Sequence, residues 1–458
     1  MGGDSLLALR IVVETSEAFN RQVPVDAFLR HPSIEQLAHY LDSSETDPRV
    51  EDDLISATAS GIEDLDHIEI EISSDELPAL DAVALTYVPE ALASIAGVAR
   101  DQIPERWFGG KPRLTNVYDL PQGRIGVVML PRFEIDFYKD PDGVRGPVIE
   151  ALELAAKTGA RTVSLTGVIP SATNHGRDIA GWVADRNDLP VLTTGDATRS
   201  ATIVRSVEGM LQQAGRDMAK ETLAVVGLGS IGHGTLLLIL NVLPHPKRLI
   251  LCDPYQNDEQ LARVRDEVRA AGYSGDVDIV ANGGALPPEV YGASFVVAST
   301  NLPGILDIKS LKPGALVVDY SFPPVFRLPD AIRRLNESGD ILFTTGGELK
   351  MKGVVKETIY LPETAEELAE DLEGGFIRFL AGRDPSEITG CVLVSLLTNQ
   401  KPEVKPTLGA LSVEDALAHY RYLGELGIDS ARLQMSGWFL PSEAIASVRG
   451  GKEIPGIS

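Results

Sequence analysis

Apolar positions recur along this chain in two alternating rhythms. From residue 124 onward, short continuous apolar runs of strand length alternate with stretches where apolar residues return every three or four positions. Arg124 to Leu130 (RIGVVML) is the first such run and predicts a buried strand. Val148 to Thr158 has helical spacing and ends at Gly159; Thr162 to Leu165 reads as the next strand and stops at Gly167. Val191 to Thr193, set off by Pro190, adds a short strand. Ala201 to Lys220 predicts a long helix with Ile203, Val204, Val207, Met210 and Leu211 on one face. The alternation continues through strand Leu223–Val226, helix Gly234–Leu243, strand Arg248–Cys252, and further strands at Val277–Val280, Phe295–Ser299 and Ala315–Asp319. Strands alternating with helices in this way predict an α/β fold.

The N-terminal region is built differently. Leu6, Leu7, Leu9, Ile11 and Val12 form the apolar face of a helix that begins directly after a Gly-Gly-Asp-Ser turn. Residues 43–76 then carry twelve Asp or Glu against one Arg, Arg49, and show little periodicity until the alternating run Ile68–Ile72. A like-charge block of this kind stays solvated and extended, so it reads as a linker. A chain of 458 residues predicts two to four domains. The net charge of −25 excludes nucleic acid as a natural partner. No run reaches the ~18 apolar residues of a membrane span, and no signal peptide opens the chain. Two cysteines, Cys252 and Cys391, make no disulfide framework; a reducing, cytoplasmic setting is expected.

One motif carries recognisable chemistry. Gly227, Gly229 and Gly232 form G-x-G-x-x-G between a four-residue apolar strand and a helix. Glycines there allow a tight turn, close backbone approach to a pyrophosphate and tight helix–sheet packing, and the helix N-terminus favours the phosphates. The next strand ends in Asp253, 26 residues after Gly227. An acid at that place hydrogen-bonds an adenosine ribose and repels a 2′-phosphate, which favours NAD over NADP. The expected cofactor residues are Gly227, Gly229, Ser230, Ile231, Gly232 and Asp253, together with the Ser299-Thr300-Asn301 turn at the end of a later strand. His233, inside the glycine turn, is expected on its pyrophosphate side. His175, in Asn174-His175-Gly176, is a candidate proton donor. A free cysteine is as a rule a small buried core residue, and Cys252, at the end of a strand, reads that way; the residues alone suggest the same for Cys391.

Two resemblances extend these readings. The Gly-Gly-Asp-Ser turn, followed by Phe19–Val23, Val25–Phe28, His31-Pro32-Ser33-Ile34 and Leu37–Leu41, resembles a thiolation (carrier) domain of the peptidyl type used in nonribosomal synthesis. The resemblance implies that Ser5 takes a 4′-phosphopantetheine arm and that other assembly-line proteins are partners. A carrier bundle has a helix ahead of that serine, so residues 1–42 are expected to be a partial carrier domain. Farther on, Met129-Leu-Pro-Arg-Phe, Lys157-Thr-Gly-Ala-Arg, Leu165-Thr-Gly-Val-Ile-Pro-Ser-Ala-Thr, Thr193-Thr-Gly-Asp-Ala-Thr and Ala293-Ser-Phe-Val-Val-Ala-Ser-Thr occur in an order similar to that of the cyanobacterial long-chain acyl-(acyl-carrier-protein) reductases. The similarity runs from about 124 to 433.

That second family implies reduction of a carrier-bound thioester to an aldehyde with NADPH, through a cysteine thioester, in a substrate domain split around a dinucleotide-binding domain. It places the nucleophile at Cys391, in Glu387-Ile-Thr-Gly-Cys-Val-Leu-Val. The chain departs from the family at Asp253-Pro254-Tyr255, where an arginine is usual, so NADH or use of both cofactors is expected, and the acyl group is left open among acyl, aminoacyl and peptidyl. The resulting layout is a partial carrier (1–42), an acidic linker (43–76), a substrate domain in two parts (77–220 and 330–458) and a Rossmann NAD(P)-binding domain (221–329). A competing reading is a dehydrogenase or imine reductase without a covalent step, acting on a carrier-tethered substrate and resembling shikimate or amino-acid dehydrogenases. A third is a docking module without redox chemistry.

Overall fold

The computed structural model describes residues 67–73, 76–89, 99–253, 258–281, 286–321, 324–365, 384–398 and 400–449. Ser5, the carrier segment, most of the acidic linker and Pro254-Tyr255 lie outside the described residues. Within them the chain forms two compact units, one from 67–199 with 348–429, the other from 200–347 with 430–449.

The first unit contains a seven-stranded sheet of strands β1 (Ile68–Ile72), β2 (Ala82–Val88), β3 (Arg113–Leu120), β4 (Gly123–Phe133), β5 (Thr162–Leu165), β6 (Val191–Thr193) and β14 (Lys356–Leu361). The spatial order is β1-β14-β3-β4-β2-β5-β6. β14 returns from far along the chain to lie parallel to β1 and antiparallel to β3. The block β4-β2-β5-β6 is parallel. Its strands are almost wholly apolar because both faces are covered. Helix α1 (Arg145–Lys157) lays Val148, Ala151, Leu152 and Ala155 on Val83, Leu85, Val128, Leu130, Val163 and Leu165. A second helix, α6 (Gly390–Leu397), packs on β2, β4 and β5. It is entered from β15 (Glu387–Thr389), which pairs antiparallel with β13 (Glu348–Lys350).

The second unit is a six-stranded parallel sheet made of β7 (Thr222–Val226), β8 (Arg248–Asp253), β9 (Asp276–Ala281), β10 (Phe295–Ala298), β11 (Ala315–Asp319) and β12 (Ile341–Thr345). Its order, β12-β11-β10-β7-β8-β9, reverses direction between β7 and β10. That is the doubly wound arrangement, with the topological switch point at the ends of β7 and β10, where such sheets take ligands. Helices α3 (Ser230–Val242), α4 (Asp258–Ala270) and α5 (Leu328–Ser338) belong to this unit.

Several boundaries differ from the sequence reading. The sheet extends past 329 because β12 pairs along its full length with β11. Residues 430–449 join this unit as well: the Thr344 hydroxyl donates to the Gln434 carbonyl and accepts from its N–H, both at 3.1 Å, and Phe343 stacks on Trp438. Helix α2 occupies Asp196–Ala214 rather than 201–220, since Gly215, at φ 64°, ends it and Met218–Lys220 form a separate short turn. α3 starts at Ser230, four residues before the expected Gly234, because Gly232 and Gly234 are inside its first turns.

Candidate functional site

The six-stranded unit holds the glycine turn. Gly227 has φ 87°, and a Cβ there would stand 2.2 Å from the Ser299 carbonyl oxygen. A Cβ on Gly232 would stand 2.0 Å from the Gly227 carbonyl oxygen. Both positions therefore exclude any side chain. Gly229 is different, with nothing within 4 Å of its would-be Cβ. It is the N-cap of α3 and has no side-chain cap, so the first N–H groups of a 13-residue helix open beside free space. That is the arrangement a dinucleotide pyrophosphate requires. Ser230 and Ile231 form the first turn, and the Ile231 carbonyl accepts from the Ser200 hydroxyl at 3.3 Å.

Asp253 ends β8 almost wholly buried, and its Oδ2 accepts the Leu228 N–H at 3.0 Å. The carboxylate thus braces the glycine turn, a duty the sequence reading did not assign it. At the switch point the Ser299 N–H donates to Val226, the Thr300 N–H donates to the Ser321 hydroxyl at 3.1 Å, and the Thr300 hydroxyl accepts the Leu302 N–H at 3.2 Å. Asn301 follows in the same turn. His233, expected on the pyrophosphate side, has its Nε2 2.7 Å from the Glu267 carboxylate on α4. Its place on α3, one turn beyond Gly229, aims it at the neighbouring helix. Cys252 is fully buried, and burial, then the Asp253 charge, pushes its thiol up to about 12. It is inert.

The seven-stranded unit holds Cys391, half-buried at the second position of α6. Two hydroxyls flank it. Thr389, the N-cap residue, makes no capping bond to the helix; its Oγ1 lies 3.4 Å from the Cys391 sulfur, within reach of the S–H. Ser164, fully buried on β5, donates to the Cys391 carbonyl at 3.3 Å. The helix start is thus held from its own cap residue and from the sheet beneath.

His175 lies in a run of three left-handed residues, Asn174 (φ 49°), His175 (φ 54°) and Gly176 (φ 76°). Non-glycine residues rarely take that conformation. The run is pinned through its backbone: the His175 N–H donates to Pro170 at 2.7 Å, and its carbonyl accepts from Gly409 at 2.9 Å. The structure assigns the His175 backbone a structural task.

Sequence reasoning missed two clusters here. Thr193, Thr194 and Thr407 are buried and mutually bonded, with the Thr194 N–H on the Thr407 carbonyl at 2.7 Å and the Thr407 N–H on the Thr193 hydroxyl at 3.1 Å. The Thr198 hydroxyl lies 2.6 Å from His419 Nδ1, while His419 Nε2 lies 3.1 Å from the Lys405 carbonyl. A carbonyl only accepts, so Nε2 carries the hydrogen and Nδ1 accepts from Thr198. Burial lowers the His419 pKa and keeps the ring neutral. Beside them Arg199, almost fully buried, donates to the Leu165 carbonyl at 2.6 Å and pairs with Asp196 at 3.5 Å. Residues separated by more than 200 positions supply each cluster, and no local spacing announces them.

Comparison with known proteins adds one family. Residues 1–41 match the family model of a phosphopantetheine attachment site. No curated protein matches the chain. Among solved structures, L-tryptophan dehydrogenase from Nostoc punctiforme is similar at 14% identity, over 58% of this chain and 70% of that one, with a TM-score of 0.34. Shikimate 5-dehydrogenase from Listeria monocytogenes, in complex with shikimate and NAD, is similar at 11% identity, over 62% and 88%, with a TM-score of 0.29. Quinate dehydrogenase from Corynebacterium glutamicum, in complex with NAD, is similar at 16% identity, over 56% and 85%, also with a TM-score of 0.29. Among the described residues no helix is long and apolar enough to cross a membrane, and no group of three or more His, Cys, Asp or Glu could hold a metal.

Proposed function

We propose that this chain uses a nicotinamide dinucleotide to reduce a carrier-bound acyl, aminoacyl or peptidyl thioester to an aldehyde, through an acyl-enzyme on Cys391. The contrast between its two cysteines carries the reading. Cys252 is sealed in a strand with its thiol pushed far up, whereas Cys391 is half-buried at a helix start, with the Thr389 hydroxyl beside its sulfur and the Ser164 hydroxyl holding its backbone carbonyl. A thiolate is strongly nucleophilic, and helix N–H groups favour it.

The Cys391 sulfur attacks the thioester carbonyl carbon; the carbon–sulfur bond to pantetheine breaks, and the pantetheine sulfur leaves and takes a proton. The acyl group is now held on the enzyme, which replaces a diffusive encounter by a tethered one. When bound, the reduced nicotinamide supplies a hydride to that carbonyl. The oxygen then carries the negative charge; it re-forms the carbonyl, the carbon–sulfur bond to Cys391 breaks, the aldehyde leaves, and Cys391 returns to thiolate. Gly227, Gly229, Ser230, Ile231 and Gly232 would receive the pyrophosphate, with the Ser299-Thr300-Asn301 turn on the nicotinamide side. Asp253 would face the ribose, favouring NADH or use of both cofactors. The arm would come from Ser5, inside the segment matching a phosphopantetheine attachment site, or from a separate carrier.

Intact-protein mass spectrometry with a panel of acyl-pantetheines tests this. The expected result is a single acyl adduct on the wild type, none on Cys391→Ala, and discharge of the adduct as aldehyde on adding NADH or NADPH. Full turnover by Cys391→Ala would overturn the covalent route in favour of a direct dehydrogenase.

A further inference from the structure

The last strand before the edge of the six-stranded sheet, β11, ends on Asp319, which is 1% exposed. Two backbone donors converge on its carboxylate: Oδ1 accepts the Ser321 N–H and Oδ2 the Val325 N–H, both at 2.8 Å. The Ser321 hydroxyl oxygen accepts the Thr300 N–H at 3.1 Å. A continuous path therefore runs from a buried carboxylate through Ser321 to the backbone of the switch-point turn. That turn abuts the glycine turn directly, since the Ser299 carbonyl oxygen occupies the space a Cβ on Gly227 would need.

We infer that Asp319, acting through Ser321, is a positioning residue for the dinucleotide: it holds the Ser299-Thr300-Asn301 turn in the form that receives the nicotinamide half. This rests on reading Gly227–Gly232 as the dinucleotide cradle. The chemistry of the path explains why a carboxylate is needed. An ionised carboxylate accepts at every lone pair, so it holds the Ser321 and Val325 N–H groups together and sets Ser321 where its hydroxyl oxygen meets the Thr300 N–H. A neutral acid or an amide offers a donor in place of one acceptor and weakens the hold on Ser321.

The same path makes the turn sensitive to pH. Burial pushes Asp319 up to about 6, against the opposing pull of its hydrogen bonds. The flanking strands β10 and β12 contribute no ionisable side chain, and the segment after β11 carries Tyr320 and Arg327. Below about pH 6 the carboxyl gains a proton and the path to Thr300 loosens.

The test is NADH binding to the full chain, followed by fluorescence titration between about pH 5 and 8, for wild type, Ser321→Ala and Asp319→Asn. Hydrogen exchange at the Thr300 amide is measured without cofactor on the same proteins. Ser321→Ala keeps the buried carboxylate and alters a half-buried residue, so it stays folded even if Asp319→Asn does not. Wild type is expected to lose about five- to tenfold in affinity on going below pH 6, and Ser321→Ala to start weaker by a similar factor with a flatter profile. Thr300 exchange should accelerate in Ser321→Ala while the melting temperature is held. A wild type that binds NADH beside a Ser321→Ala with the same affinity, profile and Thr300 exchange would overturn the inference alone. A wild type that binds no NADH would overturn the cradle reading, and the inference with it.

Discussion

The glycine turn and the cysteine turn are both strand-to-helix corners, yet they are built on opposite plans. At Gly227–Gly232 the useful groups belong to the backbone: helix N–H groups, a left-handed residue and an open face at Gly229. Around Cys391 they belong to side chains, a sulfur with the Thr389 hydroxyl beside it and the Ser164 hydroxyl on its carbonyl, and the same unit also holds the Thr193–Thr407 and Thr198–His419 pairs. A site made of backbone needs the absence of side chains at fixed spacing. A site made of side chains needs partners delivered by the fold.

The largest expected effect breaks the first half of this comparison. Gly227→Ala and Gly232→Ala would each drive a methyl group into a backbone carbonyl, and Gly227 would also take an unfavourable left-handed conformation worth roughly 1–2 kcal/mol. Both variants should lose more than ~100-fold in NADH affinity and melt several degrees lower. Gly229→Ala meets nothing in the fold. Its melting temperature should match wild type while its NADH affinity falls, because the methyl enters only the ligand's space. Calorimetry with NADH titration on all three variants measures this; equal melting losses at the three positions would refute the distinction.

The same difference explains how much could be read from the residues alone. The order of strands β7 to β11 and the glycine turn follow from local pattern, since apolar continuity and glycine spacing act over a few residues. The ends of elements shifted where tertiary contacts decide them: β12 joins its sheet through β11, and residues 430–449 join through Gln434 and Trp438. Asp253 and Asp319 were visible as strand ends, but their hydrogen bonds to Leu228 and Ser321 depend on loops that only the fold brings near. The contact of His233 with Glu267 was not legible in the sequence because that partner lies one helix away. Cys391 was singled out through resemblance alone, and nothing in its spacing named Thr389 or Ser164 as neighbours.

A middle-sized effect probes the side-chain plan through Thr198 and His419. Thr198→Val removes the hydroxyl that donates to the buried His419 Nδ1, an unpaired-acceptor cost of about 1–3 kcal/mol. The pair also carries a pH signature. The folded pKa of His419 is lowered by burial below its ordinary value near 6.5. The unfolded chain therefore binds a proton at a pH where the folded one does not, so this contribution is present above pH 6.5 and is lost as the pH falls. The melting temperature should drop between about pH 7 and 5.5, and His419→Gln should flatten that drop. An identical pH slope in the variant would show that other groups set it.

The smallest effect is the most specific to the cysteine corner. A threonine at an N-cap ordinarily accepts a helix N–H, and losing that bond to alanine costs about 1 kcal/mol. Thr389 makes no such bond and instead holds its hydroxyl 3.4 Å from the Cys391 sulfur. When the sulfur acts as a nucleophile, this hydroxyl can turn to donate to it and hold it in place. Thr389→Val keeps the shape and removes the hydrogen bond, so helix stability should change little. The rate of Cys391 alkylation by iodoacetamide, followed by mass spectrometry at one fixed pH, should slow a few-fold, as the loss of one modest hydrogen bond requires. Thr389→Ser restores the hydroxyl and should restore the rate. If valine and serine variants both alkylate like wild type, the sulfur takes its reactivity from the helix N–H groups alone, and the cysteine corner then works by backbone just as the glycine corner does.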